Sequence, residues 1–269
     1  LTHTGLITRH LEMGLPALDV FPGKVWNRLA ASEMRQSGLH DLLYPDPQGY
    51  PPLRAAIAGY LGVSRGVACS PDQVFICAGY RASLGLICHS VLRHGDTCWF
   101  EDPGYLIARR FLNQAGMKLL PVPVDQDGLD VEAGIKMAAN ARFAEVTPSH
   151  QSPLGVSLSL SRRHALLDWA RAGDRWIIED DYDGEFRYRG RPLPALKSLD
   201  TAGSGSVLYT GTFSKVLAPG LRLSYLVVPQ EQVVRFAETA GRMQNQCRRL
   251  LHATLARFIA EGSFASHIS

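Results

Sequence analysis

Cysteine is scarce in this chain of 269 residues: five in all, at positions 69, 77, 88, 98 and 247. The count is odd and no two form a CxxC pair. That argues against a disulfide framework and against a cysteine zinc site, so no metal is expected. Most of the five stand in apolar runs and read as small core residues. Charge of one sign is scarce too. Against 28 Lys and Arg stand 25 Asp and Glu, a net +3, too mild to argue for nucleic acid or an anionic membrane as a partner of these residues. No apolar run approaches the ~20 residues of a membrane span, and residues 1–16 lack the continuous apolar segment of a signal peptide. No membrane partner is expected, and a cytoplasmic location fits. Flexible tracts are almost missing: Gly203-Ser-Gly-Ser206 is the only one, short enough to be a surface loop. There is no internal repeat.

What remains is an ordinary globular balance, 46% hydrophobic and 20% charged, long enough to bury a sizeable core. Seven apolar, often β-branched runs read as strands: 74–78, 97–100, 118–124, 143–147, 176–179, 207–210 and 223–228. Several are nearly continuous, as expected of strands covered on both faces. Helical patterns lie between them. Pro51 and Pro52 open one, with Leu53, Ile57, Tyr60 and Leu61 on one face. Residues 80–92 repeat that spacing. Ser161 can cap a helix through Ala172, and residues 232–246 and 250–261 read as helical. The alternation predicts an α/β fold with a mostly parallel seven-stranded sheet between helices. Residues 1–24, with Pro and Gly and little periodicity, read as an extended arm, and 25–269 as one large domain.

Four segments carry chemistry. Tyr209-Thr-Gly-Thr-Phe-Ser-Lys215 ends a strand in small and hydroxyl residues and delivers a lysine. A lysine in a partly dry site loses basicity and can attack carbonyls. Thr212 and Ser214 could offer hydroxyls to a phosphate, and the fork of Arg222 suits phosphate oxygens. Trp176-Ile-Ile-Glu-Asp-Asp-Tyr-Asp183 ends another strand in acids, at the edge where parallel sheets bind ligands. An acid there can pair with a buried cationic ring nitrogen, or be a helix cap or a solvated loop residue. Ala78-Gly79-Tyr80-Arg81 turns from strand to helix, a place suited to anions. Glu101-Asp-Pro-Gly-Tyr105 presents an aromatic ring that could stack on a flat cofactor or rest on the core.

Together these residues resemble the fold-type-I pyridoxal-phosphate (PLP) aminotransferases, and most closely the aminotransferase-like domain of the MocR subfamily of GntR-type transcriptional regulators. The resemblance covers nearly the whole chain. It is carried by Tyr44-Pro-Asp-Pro-Gln-Gly-Tyr-Pro-Pro-Leu-Arg54, Thr147-Pro-Ser-His-Gln-Ser-Pro-Leu-Gly155, Ile178-Glu-Asp-Asp-Tyr-Asp-Gly-Glu-Phe-Arg-Tyr188 with Arg191-Pro-Leu-Pro-Ala-Leu196, and Gly211-Thr-Phe-Ser-Lys-Val-Leu-Ala-Pro-Gly-Leu-Arg222.

The resemblance implies roles. Lys215 would hold PLP covalently. Asp180, rather than its neighbour Asp181, would pair with the pyridinium nitrogen, and Tyr182 would hydrogen-bond the ring hydroxyl oxygen. Tyr105 would stack on the ring. Gly79, Tyr80, Thr212, Ser214 and Arg222 would surround the phosphate, with Arg81 beside them or facing solvent. His150 and Gln151 occupy the loop where many aminotransferases place an asparagine. Tyr44 would reach a phosphate across a homodimer interface. Ser152, Tyr80 and Arg81 depart from the family pattern. The resemblance also implies an N-terminal winged helix-turn-helix and a C-terminal small domain that this sequence lacks, so the large domain reads as truncated. Two functions follow. One is the PLP-binding sensor and dimerisation domain of a regulator, answering to an amino acid or PLP-related effector, with DNA bound by the missing domain. The other is an active class I/II aminotransferase.

Overall fold

A computed structural model describes residues 14–186, 193–200, 205–243 and 248–268. Parts of several sequence expectations lie outside these residues: most of the arm, Arg187–Pro192 in and after the third motif, Cys247, and the end of the helix read through Gln246.

The seven expected strands form at β1 (Val74–Cys77), β2 (Thr97–Asp102), β3 (Lys118–Asp125), β5 (Phe143–Val146), β6 (Trp176–Asp181), β7 (Val207–Thr212) and β8 (Ser224–Val227). An eighth, β4 (Gly128–Leu129), folds back on β3 and pairs Val124 with Leu129. Two residues are too few to show a period, which is why the sequence hides it. The order is β1-β8-β7-β6-β5-β2-β3-β4. β2, β3, β5, β6 and β7 run parallel, while β8 is antiparallel to both β1 and β7. The carboxyl ends of β1, β2, β5, β6 and β7 therefore share one edge, and the start of β8 joins them there.

Ten helices are described: α1 (Gly23–Gln36), α2 (Pro51–Ser64), α3 (Tyr80–Val91), α4 (Leu106–Gln114), α5 (Val131–Ala138), α6 (Leu160–Ala172), α7 (Leu196–Leu199), α8 (Val233–Arg242), α9 (Arg249–Ala260) and α10 (Ser263–Ile268). One sheet face packs Phe75, Phe100, Phe143, Ile178 and Leu208 against α3, α4 and α8. The other face carries α1, α2, α9 and α10 around Tyr209, Phe213 and Tyr225, and α5 to α7 around Trp99 and Ile177. Helices thus cover both faces of the sheet, with α1 and α10 packed on α9.

Two helix starts differ from expectation. α6 is entered through Ser159, so Ser161 lies inside the first turn. α1 begins within the segment read as an arm, and Trp26 packs edge-on against Phe258 of α9. Its stripe is narrow, with only Leu29 and Glu33 buried, so its periodicity is faint. α5 is capped by Asp130, whose side chain accepts from Ala133 N–H at 3.0 Å.

A buried ion pair ties the second layer to the functional edge. Arg65, just past α2, donates from Nε to Asp181 Oδ2 at 2.7 Å, from Nη1 to the Gly184 carbonyl at 2.9 Å and from Nη2 to Ser149 Oγ at 2.8 Å. Tyr209 adds a 2.6 Å bond to the same Asp181 oxygen. One guanidinium thus holds the ends of β5 and β6 together. Removing it strands a carboxylate in a dry interior. Arg65→Ala should lower stability by about 3–5 kcal/mol in urea unfolding, with part of the loss recovered in Arg65→Ala/Asp181→Leu. A loss below about 1 kcal/mol would show the pair to be a bystander.

Candidate active site

β6 and β7 are adjacent, and Asp180 stands opposite Thr210 in register. Asp180 is buried, and Thr210 Oγ1 lies 3.4 Å from its Oδ1. Burial, then the neighbouring charge of Asp181, push its pKa well above the usual carboxylate range. No ion pair neutralises it among the described residues. A carboxylate in that setting is stable only with a cation against it.

Lys215 lies in the turn after β7. Phe213, Val216 and Leu217 are buried around it and pin the turn to the core, while Phe213 N–H bonds the Leu223 carbonyl at 3.0 Å. Between those anchors the lysine stays partly exposed. Burial lowers its pKa, and Asp180 and then Asp183 act in the opposite sense. Its amine donates to the Gly14 carbonyl at 2.7 Å, so the segment before α1 touches the site. Thr212 Oγ1 accepts from Ser214 N–H at 3.1 Å and donates to the Leu223 carbonyl at 3.3 Å. The Thr212 hydroxyl thus ties the turn together.

An anion cup forms where α3 begins. The Gly79 carbonyl accepts from Ala82 and Ser83 N–H, and the N–H groups ahead of them, at the very start of the helix, have no intrahelical acceptor and stand at the positive end of its dipole. Gly79 has φ +88°, and a Cβ on it would sit 2.7 Å from Nη2 of Arg222. Only glycine leaves that space. Arg222, itself at φ 51°, brings its guanidinium to the helix start. Arg81 is exposed on the same turn, and Arg81 and Arg222 both lower the pKa of Tyr105 against the larger upward effect of burial.

Tyr105 is half-buried, its ring 6.1 Å from that of Tyr80. Tyr80 does not offer its hydroxyl to the cup: it donates to Glu145 Oε1 at 2.8 Å. Its contribution there is main-chain. Tyr182 donates to the His150 carbonyl at 2.9 Å, and His150 Nδ1 lies 2.9 Å from Asp183 Oδ1. Gln151 is buried, and its amide donates to Glu101 Oε2, the Pro103 carbonyl and the Ser152 carbonyl at 3.1, 2.8 and 3.0 Å. Its capacity goes into the loop it holds. Tyr44 is fully exposed. Sequence reasoning missed Arg65, Glu101 and Glu145. The last had a signal, a lone acid inside an apolar strand.

The pieces fit a planar, cationic, phosphorylated aldehyde. The space left by Gly79, the α3 N-terminus and Arg222 match a phosphate. The uncompensated Asp180 matches a protonated ring nitrogen, Tyr105 a ring face, and Lys215 a carbonyl carbon. PLP has these four features.

Residues 21–266 match the family model for aminotransferase class I and II. The chain is 43% identical over 257 residues to a probable rhizopine catabolism regulatory protein, MocR, of Rhizobium meliloti, covering 95% of this chain and 51% of that protein. It is 34% identical to the pyridoxine biosynthesis transcriptional regulator PdxR of Corynebacterium glutamicum, covering 94% and 54%. The chain thus spans about half the length of these curated relatives. Among solved structures, a kynurenine aminotransferase of Pyrococcus horikoshii superposes with TM-score 0.85 at 30% identity, over 95% of this chain and 64% of that one. The α-aminoadipate aminotransferase LysN of Thermus thermophilus gives TM-score 0.85 at 31% identity, over 95% and 64%. With the motifs in order and the site assembled on one sheet edge, the chain belongs to the aminotransferase class I and II family, with pyridoxal phosphate as its cofactor.

Proposed function

We propose that this chain is the PLP-binding effector and dimerisation portion of a MocR-type transcriptional regulator. The observation that carries the reading is that Asp180 on β6 and Lys215 in the turn after the adjacent β7 come to one edge of the sheet, in a chain similar over 95% of its length to a regulator. PLP, when bound, supplies an electron sink for bonds at an amine-bearing carbon. The chain's own residues do the rest. Asp180 keeps the ring nitrogen protonated. Lys215, made less basic by burial, presents its amine to the carbonyl carbon. Arg222, with Arg81 beside it, and the α3 N-terminus hold the phosphate, with Thr212 and Ser214 shaping the wall opposite. Tyr105 covers one ring face and excludes water. Tyr182, His150 and Gln151 close the side of the ring hydroxyl. An amino acid or PLP-related compound is the signal in this reading, and DNA is contacted by residues other than this fold.

A second reading, an active aminotransferase, draws on the likeness to LysN and the kynurenine enzyme. Sustained amino transfer from an amino acid to a 2-oxo acid would favour it.

A second copy of the chain is the proposed cover for the segment from residue 18 to 44. Leu18, Val20, Met34, Leu39, Leu43 and Tyr44 are all exposed there, more apolar surface than one short stretch usually leaves to water. Tyr44 would then meet the phosphate of the facing subunit.

Two experiments test the reading. PLP added to the purified chain should give a visible absorbance band that borohydride fixes on Lys215, located by peptide mass. Label on another lysine, or none on a folded sample, would sink the assignment. Tyr44→Phe should weaken PLP binding by about 0.5–1.5 kcal/mol, the worth of one hydrogen bond, while sedimentation still finds a dimer. A monomer that binds PLP as tightly as wild type would contradict the shared site.

A further inference from the structure

β5 carries an acid that the roles above do not use. Glu145 is buried and in register with Phe100 on one side and Ile178 on the other. Ile178 and Asp180 alternate onto the same sheet face, so Glu145 and Asp180 face the same layer, under α3. One carboxyl oxygen, Oε1, accepts the Tyr80 hydroxyl at 2.8 Å. The other, Oε2, is buried with no hydrogen-bond partner.

The groups around it are of one sign or neutral. Asp180 comes from β6, Glu101 and Cys98 from β2, Tyr80 from α3 and Tyr105 from the loop before α4. No lysine, arginine or histidine forms an ion pair with Glu145 among the described residues. An anionic oxygen without a partner in such a place costs far more than a protonated one. With the phenol donating to Oε1, a proton on the acid would sit on Oε2. The bond also reaches Tyr80, the first residue of α3, whose main chain lines the anion cup.

We propose that Glu145 is a positioning residue of the cofactor site, a neutral carboxylic acid that anchors Tyr80 at the cup and leaves Asp180 as the anion for the ring nitrogen. The part concerning the cup rests on the PLP reading; the protonation of Glu145 does not. Burial, followed by the charges of Glu101 and Asp180, raises its pKa well above the usual glutamate range. The direction of the pH effect follows. Between the unfolded and folded pKa values the folded chain holds a proton that the unfolded chain has lost, so stability falls as pH rises.

The first test uses the cofactor-free chain. The unfolding constants of wild type, Glu145→Gln and Glu145→Leu are measured by urea denaturation from pH 5 to 7. Both variants should gain stability relative to wild type as pH rises, by roughly tenfold in that ratio per pH unit. A purely structural role would give an offset without slope. A flat ratio would overturn the proposal, and so would a slope in one foldable variant that the other lacks. The second test titrates PLP by fluorescence at pH 7. Glu145→Gln, which can still accept from Tyr80, should bind within about threefold of wild type. Tyr80→Phe and Glu145→Leu should each weaken binding by about fivefold or more, with no further loss in the double variant. Equal binding by wild type and Tyr80→Phe would overturn the anchoring role. Failure of wild type itself to bind PLP would overturn the cofactor reading, and the stability slope would still decide the state of Glu145.

Discussion

Asp180 sits at the end of a strand buried on both faces, with no cation paired to it among the described residues. A dry carboxylate of that kind has to be protonated or be met by positive charge. The rest of the site can be read as the way the fold supplies that charge and holds it in place. The strand order brings the loops after β1, β2, β5, β6 and β7 to one edge. The loop after β7 delivers the amine, the turn after β1 delivers the anion cup, and the loop after β2 delivers the ring of Tyr105.

The two consecutive acids, Asp180 and Asp181, divide the work by the alternation of a strand. Asp181 turns to the other layer, where Arg65 and Tyr209 both donate to its Oδ2. Asp180 turns to the α3 face, where the Thr210 hydroxyl, 3.4 Å away, is its hydrogen-bond partner among the described residues. The same alternation brings Glu145 to the Asp180 side. The edge therefore carries a compensated acid on one face and uncompensated ones on the other. The uncompensated face is the one toward the cup and the lysine.

Much of this was legible in the sequence, for identifiable reasons. Long apolar runs such as 176–179 and 207–210 report strands covered on both faces, and a lysine after the second stands out against them. β4 was hidden because two residues have no period, and α1 because little of it is buried. The places of Lys215, Asp180 and Arg222 at one sheet edge were legible because each stands in a motif at a strand end or turn, and the roles proposed for them build on those places. It was not legible where a role depends on distant partners. Arg65 meets Asp181 across 116 positions of sequence, and nothing near either residue announces the pair. The reading of Tyr80 was right about its place at the helix start, but its hydroxyl is taken by an acid 65 positions away. Gln151 likewise lies in the expected loop, with its amide spent on Glu101 and the main chain.

The central claim is that Asp180 holds a protonated ring nitrogen. Nitrogen-15 NMR of the chain loaded with ring-labelled PLP reads that proton directly. The account predicts a protonated nitrogen in wild type across neutral pH, and loss of that proton in Asp180→Asn while Lys215 remains linked. An unprotonated ring nitrogen in wild type, or one unchanged by Asp180→Asn, would contradict it.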